Sequence, residues 1–281
     1  PKDALSGPRG DDPCEGPKAS GSSAGACKRQ ERTAVLLGDL NVGKTTLFNR
    51  LCGRRLKVAN YPGTTISVGR GTLSNGGAPI HLTDTPGIGG MLPTSEDEKI
   101  SRDILFDEKP DLIALVVDGK NLRKGLLLAS QLAEYGRPLL IDINMMDEAR
   151  RRGIRIDTEK LSALVGVPVI MTTATEGEGV EAFRKALDSA AWPRIIVSYP
   201  AKVESAISLI TRLLESTDLP ARAVGTAALA GDEDVKRYVA GLCGEDVLEQ
   251  IEAVAAHAQS SFSRPLSDII LESRLRAAEG L

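Results

Sequence analysis

With 281 residues, 42% of them hydrophobic and 26% charged, the chain has the balance of a globular protein long enough for one large or two ordinary domains. No apolar run approaches the ~18 residues needed to cross a bilayer, so a spanning segment is excluded within this stretch. Lys plus Arg number 35 against 38 Asp plus Glu, a formal net charge of -3, which argues against a dominant nucleic-acid surface. Cys14, Cys27, Cys52 and Cys243 lie far apart with no CxxC pair. That spacing indicates neither a disulfide framework nor a zinc knuckle, and a reducing compartment is expected.

Residues 1–30 are rich in Gly, Pro and Ser, with Leu5 as their only large aliphatic side chain. So little apolar surface cannot offset ordering entropy, and a flexible tail is expected, with no role for Cys14 or Cys27. It opens on Pro1 and has no apolar signal core, so it reads as a remnant or as a processed or divergent extension. From Thr33 onward, short apolar runs predict strands over 34–37, 80–82, 112–117, 138–143 and 167–171. Helices are predicted over 46–51, from the Ser95/Glu98 capping box, and over 122–135, 157–165 and 178–189. Such alternation implies an α/β fold with a doubly wound, mostly parallel sheet that takes ligands at the carboxyl ends of its strands. Trp192-Pro193 breaks the last helix, and residues 195–197 offer a final short strand. Beyond Tyr199-Pro200 the spacing of Ala206, Ile207, Ile210, Leu213 and Leu214, and of Val247, Leu248, Ile251, Val254 and Ala255, is helical, with Pro220 and Pro265 as breakers. The expected organisation is a tail over 1–30, an α/β unit over 31–198 and a small all-helical unit over 199–281.

Directly after the first strand, Gly38-Asp39-Leu40-Asn41-Val42-Gly43-Lys44-Thr45 fits G-x-x-x-x-G-K-[ST], and Thr46 opens the helix behind it. Glycines let backbone N–H groups wrap phosphates without Cβ clashes, and the helix N-terminus adds partial positive charge. Lys44 is placed to reach the β- and γ-phosphates and Thr45 to ligate Mg2+. Asp84-Thr85-Pro86-Gly87 ends the 80–82 strand; there Asp84 can hold the magnesium through water and the Gly87 N–H can meet the γ-phosphate.

A P-loop alone leaves the base open. Asn144-Met145-Met146-Asp147 and Thr173-Ala174-Thr175 follow the next strand ends. Asp147 can accept from guanine N1–H and the exocyclic amino group, and the Ala174 N–H can donate to O6. Adenine offers neither match, and a carboxylate left without its donors loses roughly 1–3 kcal/mol, so the base is read as guanine. Asn60-Tyr61-Pro62-Gly63-Thr64-Thr65 is a turn-rich loop. Its Thr65, with Thr64 as alternative, is assigned to reach Mg2+ when the γ-phosphate is present, making the loop a two-state switch. Ile88 stands after Gly87 where Ras-like proteins keep a water-orienting Gln, so slow intrinsic hydrolysis is expected. Asn41 is either a ligand for a monovalent cation near the α/β-phosphates or an incidental polar residue. His81 and His257 are lone residues, read as structural or solvated.

With these residues in place, residues 33 to about 275 resemble the cytosolic GTPase region of the ferrous iron transport protein B family, FeoB. The likeness rests on GDLNVGKTTLFN, NYPGTT, DTPG followed by SEDEKISRD, VVDGKNL and NMMDEARRRGIRID, in which Met145 replaces the Lys usual in NKxD. Thr175 stands where the family commonly has a basic residue. The resemblance implies a G domain followed by a helical domain that contacts the switch regions. It implies GTP hydrolysis stimulated by K+ through Asn41, and a polytopic iron-transporting membrane domain in the same intact protein, on the cytoplasmic side of the bacterial inner membrane. This chain is then the isolated soluble portion. Self-association stays open, and no nucleic-acid partner is expected. Two alternatives stand beside the transporter GTPase: a nucleotide-responsive binding switch in which turnover is only a reset, and a ribosome- or tRNA-associated GTPase.

Overall fold

The computed structural model describes residues 31–53, 56–74 and 78–281; the expected tail over 1–30, with Cys14 and Cys27, lies outside the described residues. A sheet of seven strands runs in the order β2-β3-β4-β1-β5-β6-β7, with β1 Arg32–Leu37, β2 Leu56–Asn60, β3 Ser67–Leu73, β4 Ile80–Asp84, β5 Leu112–Asp118, β6 Leu139–Asn144 and β7 Val169–Met171. β1 pairs in parallel with β4 and β5, β5 with β6, and β6 with β7. β3 is antiparallel to both β2 and β4. Central strands buried on both faces read as unbroken apolar runs, and β5 is buried from Leu112 to Val117.

The two-residue period of the strands divides the core. Ala34, Leu36, Ala114, Val116 and Leu140 face α1 (Lys44–Cys52) and α6 (Val180–Ala186). Val35, Leu37, Ile113, Leu115, Ile141 and Ile143 face the other way, toward α2 (Glu96–Glu108), α3 (Leu122–Ala133) and α5 (Thr158–Val165). Short α4 (Met146–Arg151) follows β6, and a 3-10 turn over Leu187–Ser189 extends α6. The remaining helices are α7 (Ala201–Leu213), α8 (Ala221–Leu229), α9 (Glu233–Cys243), α10 (Glu245–Gln259) and α11 (Leu266–Glu279). Pro200, Pro220 and Pro265 stand at the N-caps of α7, α8 and α11, where a missing N–H costs nothing. The second apolar cluster is continuous from the sheet through α3 to Val203, Ile207, Val224 and Ile270 of these helices.

Two expectations about elements change. Residues 195–197 form no ladder: pairing stops after the single bridge between Ala191 and Leu139. Ile195, Val197 and Tyr199 still alternate inward while Ile196 is 80% exposed, so the side-chain pattern of a strand is present without its hydrogen bonds. Conversely, β2 and β3 escape an apolar-run criterion because β2 is largely exposed and β3 carries Gly69 and Gly71. Among the described residues no helix is long and apolar enough to cross a membrane.

Candidate nucleotide site

At the carboxyl end of β1 the chain turns at once into the P-loop. A Cβ on Gly38 would stand 2.1 Å from the Val116 carbonyl oxygen, and one on Gly43, at φ 88°, 2.4 Å from Asn144 Nδ2. Only glycine permits these approaches, which seat the loop against the ends of β5 and β6. Lys44 is 6% exposed, and its ammonium donates to the carbonyls of Gly38 at 2.9 Å and Asp39 at 2.7 Å. Burial pulls its pKa down to about 8, against the attraction of Asp84 and Asp39. A cation held by carbonyl oxygens at a helix N-terminus is poised for a phosphate anion. Val42 is buried, Thr46 half-buried and Asn41 exposed, in the left-handed region at φ 61°.

Thr45 Oγ1 donates to Asp84 Oδ2 at 2.7 Å. Asp84 is 7% exposed and its Oδ1 is buried with no hydrogen-bond partner among the described residues. Burial raises the Asp84 pKa, while the Thr45 hydroxyl and Lys44 lower it. Adjacent hard oxygen donors, one with an unpartnered lone pair, fit the preferences of Mg2+. Gly87 lies against the P-loop, since a Cβ there would stand 2.9 Å from Leu40 Cα. The Ile88 N–H donates to the Gly38 carbonyl at 2.9 Å, and the Ile88 side chain is fully buried in the apolar cluster it shares with α2 and α3. Loop 61–66 is closed by Tyr61 N–H donating to Ile66 O at 2.8 Å and by the Thr64 hydroxyl donating to Tyr61 O at 3.0 Å. Thr64 is thus committed to the turn. Thr65 is exposed, two residues before β3, whose Gly69 pairs with Asp84, and among the described residues no hydrogen bond joins it to Thr45 or Asp84.

At the other end of the rim, Asn144 ties three segments together. Its Nδ2 donates to the Val42 carbonyl at 2.9 Å, and its Oδ1 accepts from the Ala174 N–H at 3.0 Å and lies 3.0 Å from the Thr172 hydroxyl. The Ala174 N–H, read from sequence as a donor to guanine O6, is therefore directed at Asn144 here. Asp147 is ion-paired with Arg151 one turn on. Met145 takes a left-handed φ of 61°, and the Lys120 ammonium approaches its sulfur at 3.5 Å and Glu148 at 2.6 Å. Thr173 is buried and its hydroxyl donates to Glu178 at 3.0 Å. Thr175 is exposed, and its carbonyl accepts from the Arg50 guanidinium of α1.

Several residues bear on the site without belonging to one of its motifs. Glu98, beyond capping α2, accepts from Gly89 N–H at 2.8 Å and Thr94 N–H at 2.7 Å, so it holds the loop behind Gly87. Burial would raise its pKa; the hydrogen bonds from Thr94 and Gly89 outweigh this and hold it below the ordinary value. Asp107 accepts from Tyr61 OH at 2.9 Å and Tyr238 OH at 3.3 Å, joining the 61–66 loop to α9. Asp142 and Thr172 sit behind Asn144; the only signal was an acid inside the apolar run Leu139–Ile143.

Lys44 and Thr45 behind a glycine turn, Asp84 on the adjoining strand, and Asn144 spanning to the 172–175 loop define the P-loop GTPase fold. Comparison with known proteins narrows this. The family description "Ferrous iron transport protein B" matches residues 32–187 and "FeoB cytosolic helical domain" matches 199–281. The "Fe(2+) transport protein A/Fe(2+) transporter FeoB fusion protein" of Porphyromonas gingivalis is 34% identical over 217 residues, 73% of this chain and 26% of that protein. The Fe(2+) transporter FeoB of Escherichia coli K12 is 40% identical over 160 residues, 56% of this chain and 21% of its own. Among solved structures, a GDP-bound mutant of S. thermophilus NFeoB matches with a TM-score of 0.78 and 30% identity, covering 89% of this chain and 97% of that one. The cytosolic domain of L. pneumophila FeoB matches with a TM-score of 0.77 and 29% identity, covering 88% and 96%. The chain belongs to the ferrous iron transport protein B family, and it spans about a quarter of the length of the curated relatives it matches.

Proposed function

We propose that this chain binds GTP and GDP, hydrolyses GTP to GDP and phosphate, and acts as the cytoplasmic nucleotide-operated module of a ferrous iron transporter at the bacterial inner membrane. The observation that carries the reading is the Asn144 junction, with Lys44, Thr45 and Asp84 at one end of one sheet rim and Asp147 at the other. Residues 31–198 form the nucleotide-binding unit and 199–281 the helical unit that responds to it. Arg102 of α2, which follows the Asp84–Gly87 loop, supports this by its bond to Asp232 at 2.6 Å.

In this reading Lys44 compensates phosphate charge, the Gly87 N–H meets the γ-phosphate, and Thr45, Asp84 and Thr65 hold Mg2+. That ion supplies electrostatic stabilisation of the transferring phosphoryl group. Thr65 must swing inward from its exposed position, which makes loop 61–66 the switch. Asp147 exchanges Arg151 for the guanine N1–H and amino group, flanked by Met145 and the 173–175 loop. Asn41 offers a carbonyl oxygen to K+, taking the place of an arginine finger.

GTP, GDP and ATP affinities, with hydrolysis rates in potassium and sodium salts, test base choice and cation role together. Guanine preference with faster turnover in potassium, lost in Asn41→Ala, is expected. Equal ATP and GTP binding sinks the guanine reading, and equal rates in the two salts sink the cation role. The buried Ile88, which leaves no side chain after Gly87 to orient water, favours a second reading in which the bound state signals and hydrolysis resets. Under it, a non-hydrolysable analogue sustains transport by the intact protein.

A further inference from the structure

Asp142 stands fully buried in β6, two residues before Asn144, and takes no part in the chemistry above. Its Oδ2 lies 2.9 Å from the Thr172 hydroxyl oxygen, which lies 3.0 Å from Asn144 Oδ1. Counting hydrogens determines the charge on this chain. The Asn144 amide is oriented by two backbone groups that cannot exchange roles: Nδ2 faces the Val42 carbonyl and Oδ1 faces the Ala174 N–H. Oδ1 therefore offers Thr172 only lone pairs. A threonine hydroxyl has one hydrogen, so the second of its two contacts needs a hydrogen from the other side, and only a carboxylic acid can supply it. An ionised Asp142 would set acceptor against acceptor in a site closed to water.

We propose that Asp142 is a positioning residue for the guanine end of the site: as a neutral acid it donates to Thr172, whose own hydrogen then locks the Asn144 amide between the P-loop and the 172–175 loop. The inference rests on the nucleotide reading above. Val116 of β5 and Ile170 of β7 are its cross-strand neighbours, and Leu47 of α1 with Val180 and Phe183 of α6 cover this face of the sheet. The charged groups on these elements are engaged elsewhere or lie at the surface. Lys44 meets the Gly38 and Asp39 carbonyls and Arg50 meets Thr175. Glu181 pairs with Arg184, Lys185 is exposed, and Asp118, at the end of β5, accepts from the Lys120 N–H. Burial pushes the Asp142 pKa up to about 8, the Thr172 hydroxyl opposing. Above that range the carboxylate draws the Thr172 hydrogen to itself and Asn144 loses its lock.

The test uses the full chain and its Asp142→Asn and Thr172→Val variants, with GDP affinity measured from pH ~6.5 to ~9.5. Asp142→Asn, whose amide donates as the acid does, keeps neutral-pH affinity, while the wild type weakens roughly tenfold more than this variant at the alkaline end. Ionisation of guanine N1 is common to both, so the difference between the profiles reads Asp142. Thr172→Val lowers affinity at all pH values. Parallel wild-type and Asp142→Asn profiles, or a Thr172→Val variant that binds like wild type, overturn the proposal. Infrared spectra of nucleotide-free protein provide a readout independent of the ligand. A protonated-carboxyl band at neutral pH that vanishes in Asp142→Asn and shifts in Thr172→Val supports the relay even if the nucleotide reading fails, and its absence refutes the relay.

Discussion

Arg102 of α2 and Asp232, the N-cap of α9, form an ion pair at 2.6 Å with side chains only 2% and 7% exposed. The same carboxylate accepts from the N–H groups of Asp234 and Val235, and Lys99 reaches Asp234 at 3.1 Å beside it. Removing one partner of a buried pair strands the other charge at a cost of about 3–5 kcal/mol. Arg102→Ala is therefore expected to lower unfolding stability by that order. In urea denaturation the double variant Arg102→Met/Asp232→Asn should recover much of the loss, and equal losses for single and double variants would contradict a stranded charge.

Gly43→Ala tests the close approach of the P-loop to Asn144. The new methyl would meet Nδ2 at 2.4 Å at a φ of 88°, so the amide must leave the Val42 carbonyl. GDP affinity is expected to fall by at least ~1.4 kcal/mol, about tenfold. Titration calorimetry giving wild-type affinity would count against the link.

Lys44 gives a pH prediction with a definite sign. Its folded pKa of about 8 lies below the ordinary lysine value, so in the alkaline window the unfolded chain binds more protons. The Lys44 contribution to nucleotide-free stability, read as the difference between wild type and Lys44→Met, is then expected to rise as pH climbs from about 8 toward ~10.4, while the buried Cys52 thiol, pushed up to about 11, works the other way in both proteins. A phosphate beside the ammonium restores its proton affinity, so GDP binding near pH ~8.5 takes up protons and binding near pH ~6.5 draws none through this group. Calorimetry in buffers of different ionisation heat reads the uptake, and release of protons on binding would refute it.

Tyr61→Phe removes one hydrogen bond to Asp107 and leaves that of Tyr238. A net loss of about 1 kcal/mol or less is expected, together with faster amide exchange at Tyr61 and Thr64 of the 61–66 loop. Unchanged protection of those amides would mean that the turn's own hydrogen bonds hold it without Asp107.

The parallel half of the sheet was legible because β5 and β6 are apolar runs buried on both faces, and the P-loop because close backbone approach demands glycine at 38 and 43 and the polar side chains of Lys44 and Thr45 follow at once. The β2–β3 hairpin was not, since its strands are exposed or glycine-bearing and their pairing is decided by the neighbouring β4. Asn144 and Ala174 were both marked from sequence, but not their bond to each other, because a hydrogen bond between residues 30 apart leaves no local pattern. Asp142 shows the limit most sharply. An acid inside an apolar run announces an anomaly, while its partner Thr172 emerges only once β6 and β7 lie side by side.

Glu134, just past α3, is gripped in the interior by Arg274 at 2.7 Å and by Tyr199 OH at 2.9 Å, so α11 rides on α3, whereas Arg102 fastens α9 to α2. The helical region thus straddles two supports of the α/β unit. A slide of α2 past α3 would reach it as shear between its own members, and the five helices together would register that relative displacement as a strain gauge does.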